Sequence, residues 1–131
     1  MIERASRVVL IVEDYDSMRT AIERLLHVSS YECVAYSTAE DLLAAEVLPD
    51  AVCVVIDLRL PGMNGFELLT ELHRRGGFPP VILMTAHDAP AVREEATQRG
   101  AAAFLAKPFS REELLAAVEV IARSGMQRPE E

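Results

Sequence analysis

The placement of the apolar runs constrains this chain more than any other feature. Val8–Val12 and Ala51–Ile56 are unbroken apolar stretches of strand length. A strand with no polar alternation has no face left for water, so its sheet must be covered on both sides, as parallel sheets are. Between such runs the spacing turns helical. Met18, Ala21, Ile22, Leu25 and Leu26 predict a helix from Asp16 to about Val28. Cys33–Tyr36 reads as a second strand, and Ser37-Thr38-Ala39-Glu40 as a capping box. That box opens a helix through Leu42, Leu43 and Val47, which Pro49-Asp50 ends.

The third run, Ala51–Ile56, stops at Asp57, and a loop comes next over Leu58–Asn64. Phe66, Leu69 and Leu72 mark the next helix, closed by Gly76-Gly77. Val81–Met84 is a fourth strand. A weakly amphipathic helix of about Pro90–Arg99 comes after it, with Val92 and Ala96 as its inner stripe. Phe104–Ala106 forms a fifth strand, and Ser110-Arg111-Glu112-Glu113 is a second capping box before Leu114, Leu115, Val118 and Ile121. Five strand–helix units predict an α/β protein, a doubly wound five-stranded parallel sheet with five flanking helices. Periodicity does not fix the order of the strands.

With 131 residues the chain makes one domain. Residues 1–7 are expected to form a lead, 8–124 the domain, and 125–131 a frayed tail. A net charge of −8 argues against non-specific nucleic-acid binding, which needs a basic footprint. The apolar runs are too short to cross a membrane, and no signal-peptide pattern opens the chain, so a cytoplasmic location is expected. Cys33 and Cys53 both sit in apolar stretches and read as buried thiols in a reducing compartment.

Ligands of open parallel sheets bind beyond the carboxyl ends of the strands. The residues just past each run therefore matter most: Glu13-Asp14 after the first, Asp57 after the third, Thr85 after the fourth, Lys107-Pro108 after the fifth. Solvated rim residues would account for any one of these. They would not account for acids after the first and third runs and a lone lysine after the fifth. Three converging carboxylates repel one another unless neutralised. Such an oxygen-rich cluster suits Mg²⁺, and a carboxylate is a competent nucleophile for a phosphoryl group. Lys107 supplies a point donor to phosphoryl oxygens, and Thr85 a hydroxyl. A nucleotide-binding domain on the same layered fold is disfavoured, because no glycine-rich phosphate loop comes after the first strand.

Ile11-Val12-Glu13-Asp14, Asp57-Leu58-Arg59-Leu60-Pro61-Gly62-Met63-Asn64-Gly65, Met84-Thr85-Ala86 and Lys107-Pro108-Phe109 together resemble the receiver domain of bacterial response regulators. The resemblance runs from about Val8 to Ser124, with the nitrogen-fixation regulator subgroup nearest in motif. It implies a flavodoxin-like sheet in the order 2-1-3-4-5. It makes Asp57 the phosphoryl acceptor. Glu13, Asp14, Asp57 and the Arg59 backbone carbonyl become the Mg²⁺ site, with Thr85 and Lys107 on the phosphoryl oxygens. It also implies a cis peptide at Lys107-Pro108, a switch pairing Thr85 with Phe104, and tuning of phosphoryl lifetime by Arg59 and His87. The implied donor is a sensor histidine kinase or histidine phosphotransfer protein. The implied output is a downstream protein, or a homodimer, at the face of the fourth helix, fifth strand and fifth helix. No direct nucleic-acid contact, no membrane and no turnover chemistry are implied. Two positions depart from the common pattern: Glu13-Asp14 replaces a pair of aspartates, and Phe104 stands where tyrosine is frequent.

Overall fold

A computed structural model describes residues 7–45 and 50–127, with side chains to residue 124. Most of the expected lead, the end of the expected tail, Val47 and Pro49 lie outside the described residues. The elements run β1 (Val8–Val12), α1 (Asp16–Val28), β2 (Glu32–Tyr36), α2 (Ala39–Ala44), β3 (Cys53–Asp57), α3 (Gly65–Arg75), β4 (Val81–Thr85), α4 (Pro90–Gln98), β5 (Ala103–Ala106) and α5 (Arg111–Gln127). All four strand pairings are parallel, and the order is β2-β1-β3-β4-β5. This is the doubly wound, flavodoxin-like arrangement that the resemblance implies.

Alternation along the strands divides the core into two layers. Leu10, Val12, Val54, Ile56, Val81 and Leu83 join Leu42 of α2, Leu68, Leu69 and Leu72 of α3 and Ala96 of α4. Val9, Ile11, Cys53, Val55, Ile82 and Met84 join Ile22 and Leu26 of α1 and Leu114 and Val118 of α5. Every residue of β3 and β4 is buried, as their apolar runs require. Ala21, counted in the apolar pattern of α1, faces solvent instead. A methyl group there has little area to bury, so Ile22 and Leu26 carry the contact.

The caps match the sequence with one displacement. At α5, the Ser110 N–H donates to the Glu113 carboxylate at 2.7 Å, and the Glu113 N–H donates to the Ser110 hydroxyl at 3.0 Å. At α3, Asn64 and Glu67 form the same reciprocal pair. The box expected at Ser37 is not formed. Thr38 is the cap of α2, accepting from the Asp41 N–H, while Glu40 turns away to accept the Met63 N–H at 2.9 Å. The described part of α2 ends at Ala44, with Ala45 already extended.

Cys53 is buried and Cys33 half-buried; both are free thiols. The register sets Val9 of β1 opposite Cys33 on one side and Cys53 on the other. Burial pushes their pKa values up to about 11 for Cys33 and about 12 for Cys53.

Candidate functional site

The carboxyl ends of β1, β3, β4 and β5 bring the expected residues to one hollow. Glu13 and Asp14 come directly after β1, and carboxylate oxygens of Glu13, Asp14 and Asp57 all lie within 4.8 Å of one another. Lys107, one residue past β5, reaches across the sheet. Its ammonium stands 2.9 Å from Glu13 Oε1 and 3.0 Å from Asp57 Oδ1. The hollow is not an open rim: Glu13 is 1 % exposed and Asp57 5 %, whereas Asp14 is exposed.

Each member is held by local backbone. The Glu13 N–H donates to the Tyr36 carbonyl at the end of β2, and its side chain accepts the Tyr15 N–H through Oε2 at 3.1 Å. Arg19 of α1 donates to the Glu13 carbonyl at 2.8 Å. The Lys107 N–H donates to the Thr85 carbonyl at 2.7 Å, and the Lys107-Pro108 peptide is cis, as expected. The Asp57 segment is pinned from behind by α3. A Cβ on Gly65 would come within 2.7 Å of the Asp57 carbonyl oxygen, so only glycine lets the helix start so close. Gly62 in the same loop has φ +69°, and Glu40 braces the loop there through Met63.

Burial drives the electrostatics at Asp57. Desolvation pushes its carboxyl above the ordinary value, the Lys107 hydrogen bond pulls it back, and the charges of Glu13 and Asp14 add to the upward push. Burial alone would lower Lys107, but its hydrogen bonds to Glu13 and Asp57 outweigh that and hold the ammonium above its ordinary value. Both partners of one ion pair thus move upward. The pair itself is favourable, yet for Asp57 burial, helped by two further carboxylates, outweighs it, while for Lys107 the hydrogen bonds to acids outweigh burial.

One ammonium does not balance three carboxylates. The donor set is all oxygen, with an exposed face at Asp14, and this matches the preference of Mg²⁺ for a few carboxylates plus outer ligands.

The remaining expected residues lie around the hollow. Thr85 is buried, and its hydroxyl accepts the His87 N–H at 3.0 Å. His87 and Arg59 are both exposed, in the loops after β4 and β3. Phe104 is half-buried and packs on the layer that holds Ala96 and Leu83. Leu83 pairs with Phe104 and Thr85 with Ala106, so alternation sets Thr85 and Phe104 diagonally on one face of the sheet. Sequence reasoning missed Arg93, whose guanidinium lies 4.7 Å from the centroid of the Phe104 ring. It also missed the braces from Tyr15, Arg19 and Glu40. Arg19 left a weak signal, sitting three residues after Asp16, with which it pairs.

The family model for the response regulator receiver domain matches residues 9–119. The chain is 39 % identical over 124 residues to the transcriptional regulatory protein FixJ of Azorhizobium caulinodans, covering 94 % of this chain and 59 % of that protein. It is 36 % identical over 112 residues to the DNA-binding transcriptional regulator NtrC of Salmonella typhimurium, covering 86 % of this chain and 24 % of that one. The chain therefore spans three fifths or less of these curated relatives. Among solved structures, the chemotaxis protein CheY4 of Vibrio cholerae superposes with a TM-score of 0.82 at 27 % identity, over 89 % of this chain and 99 % of that one. The non-phosphorylated HemR receiver domain of Leptospira biflexa gives 0.83 at 27 % identity, over 96 % and 100 %. With the family match over most of its length, the 2-1-3-4-5 sheet and the acidic hollow at its carboxyl edge, this chain belongs to the response regulator receiver domain family.

Proposed function

We propose that Asp57 accepts a phosphoryl group from a phosphohistidine on a sensor kinase or phosphotransfer protein, and that the modified domain binds its partner differently. The observation that carries this reading is the Lys107 ammonium set between Glu13 and Asp57 at 2.9 and 3.0 Å, with three carboxylates gathered beside it. An Asp57 carboxylate oxygen bonds to phosphorus as the phosphorus–nitrogen bond of the donor breaks, and the departing imidazole nitrogen keeps the electron pair. Lys107, already at the acceptor, compensates the charge that arrives with the phosphoryl oxygens. Glu13, Asp14, Asp57 and the Arg59 carbonyl hold Mg²⁺, which when bound neutralises the carboxylates and the transferred group. Thr85 gives up the His87 N–H and turns its hydroxyl to the phosphoryl group. Phe104, on the same face, takes the space that Thr85 leaves.

In this reading Arg59 and His87, at the exposed lip of the hollow, govern water's access to the acyl phosphate and so its lifetime. Modification and self-dephosphorylation are the only chemistry, with no turnover of a free substrate. The docking face for the downstream protein, or for a second copy, is formed by α4, β5 and α5. Among the described residues no helix is long and apolar enough to cross a membrane, and a cytoplasmic site of action fits the histidine-phosphate donor.

Intact-mass measurement after acetyl phosphate treatment tests the acceptor. One added phosphoryl group is expected with Mg²⁺, and none after chelation or in Asp57→Asn. Lys107→Ala is expected to label yet to lose the partner response. An unmodified wild-type mass in the presence of Mg²⁺ overturns the reading. A second reading is favoured by the coverage of the relatives: the chain acts as the receiver portion of a longer regulator with an output domain, such as a DNA-binding one. The sequence of the complete gene decides between the two.

A further inference from the structure

Beyond the hollow, three contacts form a continuous path from Thr85 to Phe104, and the acceptor chemistry uses only the first of them. The Thr85 hydroxyl accepts the His87 N–H at 3.0 Å. The next residue, Asp88, receives Arg93 in a two-pronged pair, Nε to Oδ1 at 2.6 Å and Nη2 to Oδ2 at 3.1 Å. The same guanidinium lies over the Phe104 ring at 4.7 Å. Nothing else in α4 explains the placement, since Ala96 is its one buried residue and Arg93 projects from an otherwise solvated surface.

We propose that Arg93, oriented by Asp88, is a latch that holds the Phe104 ring in its resting position. The proposal rests on the switch role of Thr85 and Phe104 in the proposed function. A planar guanidinium held along its Nε–Nη2 edge by both oxygens of one carboxylate keeps its face on the ring, whereas a free arginine would swing into water. Asp88 is itself set by the backbone that Thr85 holds through His87. When Thr85 turns to the phosphoryl group it releases the His87 N–H, the β4–α4 loop shifts, and Asp88 no longer aims Arg93. The ring is then uncovered as the space beside it opens. Arg93 is a positioning residue: it touches neither the acceptor nor the transferred group. Lysine would not substitute, because a single ammonium does not bind both carboxylate oxygens in plane.

The test uses 3-fluorophenylalanine incorporated into the full chain, whose four phenylalanines give four fluorine resonances. Phe104→Leu assigns the relevant one. In untreated Arg93→Gln the Phe104 resonance is expected to move toward the position it takes in wild type loaded with beryllofluoride, and in Asp88→Asn to move part of the way. The beryllofluoride concentration at half-saturation is expected to fall about two- to fivefold in Arg93→Gln, the range an exposed cation–ring contact supports. Arg74→Gln, which breaks a surface pair on α3, serves as the control and is expected to change neither reading. A Phe104 resonance unmoved in untreated Arg93→Gln overturns the latch, and so does a shifted resonance with unchanged half-saturation. A wild-type spectrum that ignores beryllofluoride overturns the phosphoacceptor reading, and with it the latch that rests on that reading.

Discussion

Asp57 carries a stability penalty that its proposed role requires. Its carboxyl is pushed above the ordinary value, so the ionised form is worse off in the fold than in the unfolded chain. Without metal, the stability from the protonated group is present at low pH. It is lost as pH rises from the ordinary value of 3.8 through the raised folded value. Asp57→Asn is therefore expected to raise the melting temperature in chelator at pH 7 and to flatten its pH dependence across the window from 3.8 to the raised folded value, while labelling is expected to be lost. A melting temperature that falls in the variant would mean that the Lys107 contact outweighs burial. Asp57, Glu13, Asp14, Thr85 and Lys107 were legible in the sequence because each comes directly after an apolar run, and a parallel sheet delivers all such positions to one edge. Arg93 was not legible. Its partner Asp88 is five residues away and the ring it covers comes from another strand, so no local spacing announces the contact.

Elements show where local signals compete. Ser110 and Glu113 could be read as a cap because nothing else claims either side chain. At Ser37–Glu40 the signal was misread, for Glu40 is drawn off by the Met63 N–H of a loop distant in sequence, leaving Thr38 as a one-sided cap. Asn64→Ala removes a complete box and is expected to cost about 1 kcal/mol, read as a lower urea midpoint with unchanged slope. Gly65→Ala places a methyl 2.7 Å from the Asp57 carbonyl oxygen and forces α3 away from β3. A loss of about 1–3 kcal/mol is expected, with slower acetyl phosphate labelling as the acceptor shifts. Normal labelling at reduced stability would show that α3 supports the fold without aiming Asp57. Strand order was out of reach of periodicity, since an apolar run says that a strand is covered and not which strand lies beside it.

For the whole domain, ligand binding and thiol chemistry are the properties to measure. Mg²⁺ that binds only the folded hollow stabilises by mass action, so the melting temperature is expected to climb with Mg²⁺ concentration. Asp14→Asn should blunt that climb, and an identical titration curve in the variant would place the metal elsewhere. Both thiols are expected to react slowly with Ellman's reagent at pH 8 and promptly in urea, because burial leaves little thiolate on either. Their arrangement has a wider consequence. Val9 stands between Cys33 and Cys53, so the sulfurs belong to strands two spacings apart, about 9–10 Å in the plane of the sheet. That gap exceeds the reach of a disulfide. Oxidants consequently find no clasp to close between these two thiols in the native fold: any S–S bond either one makes reaches outside the domain, and the domain keeps its freedom to move whatever the redox state around it.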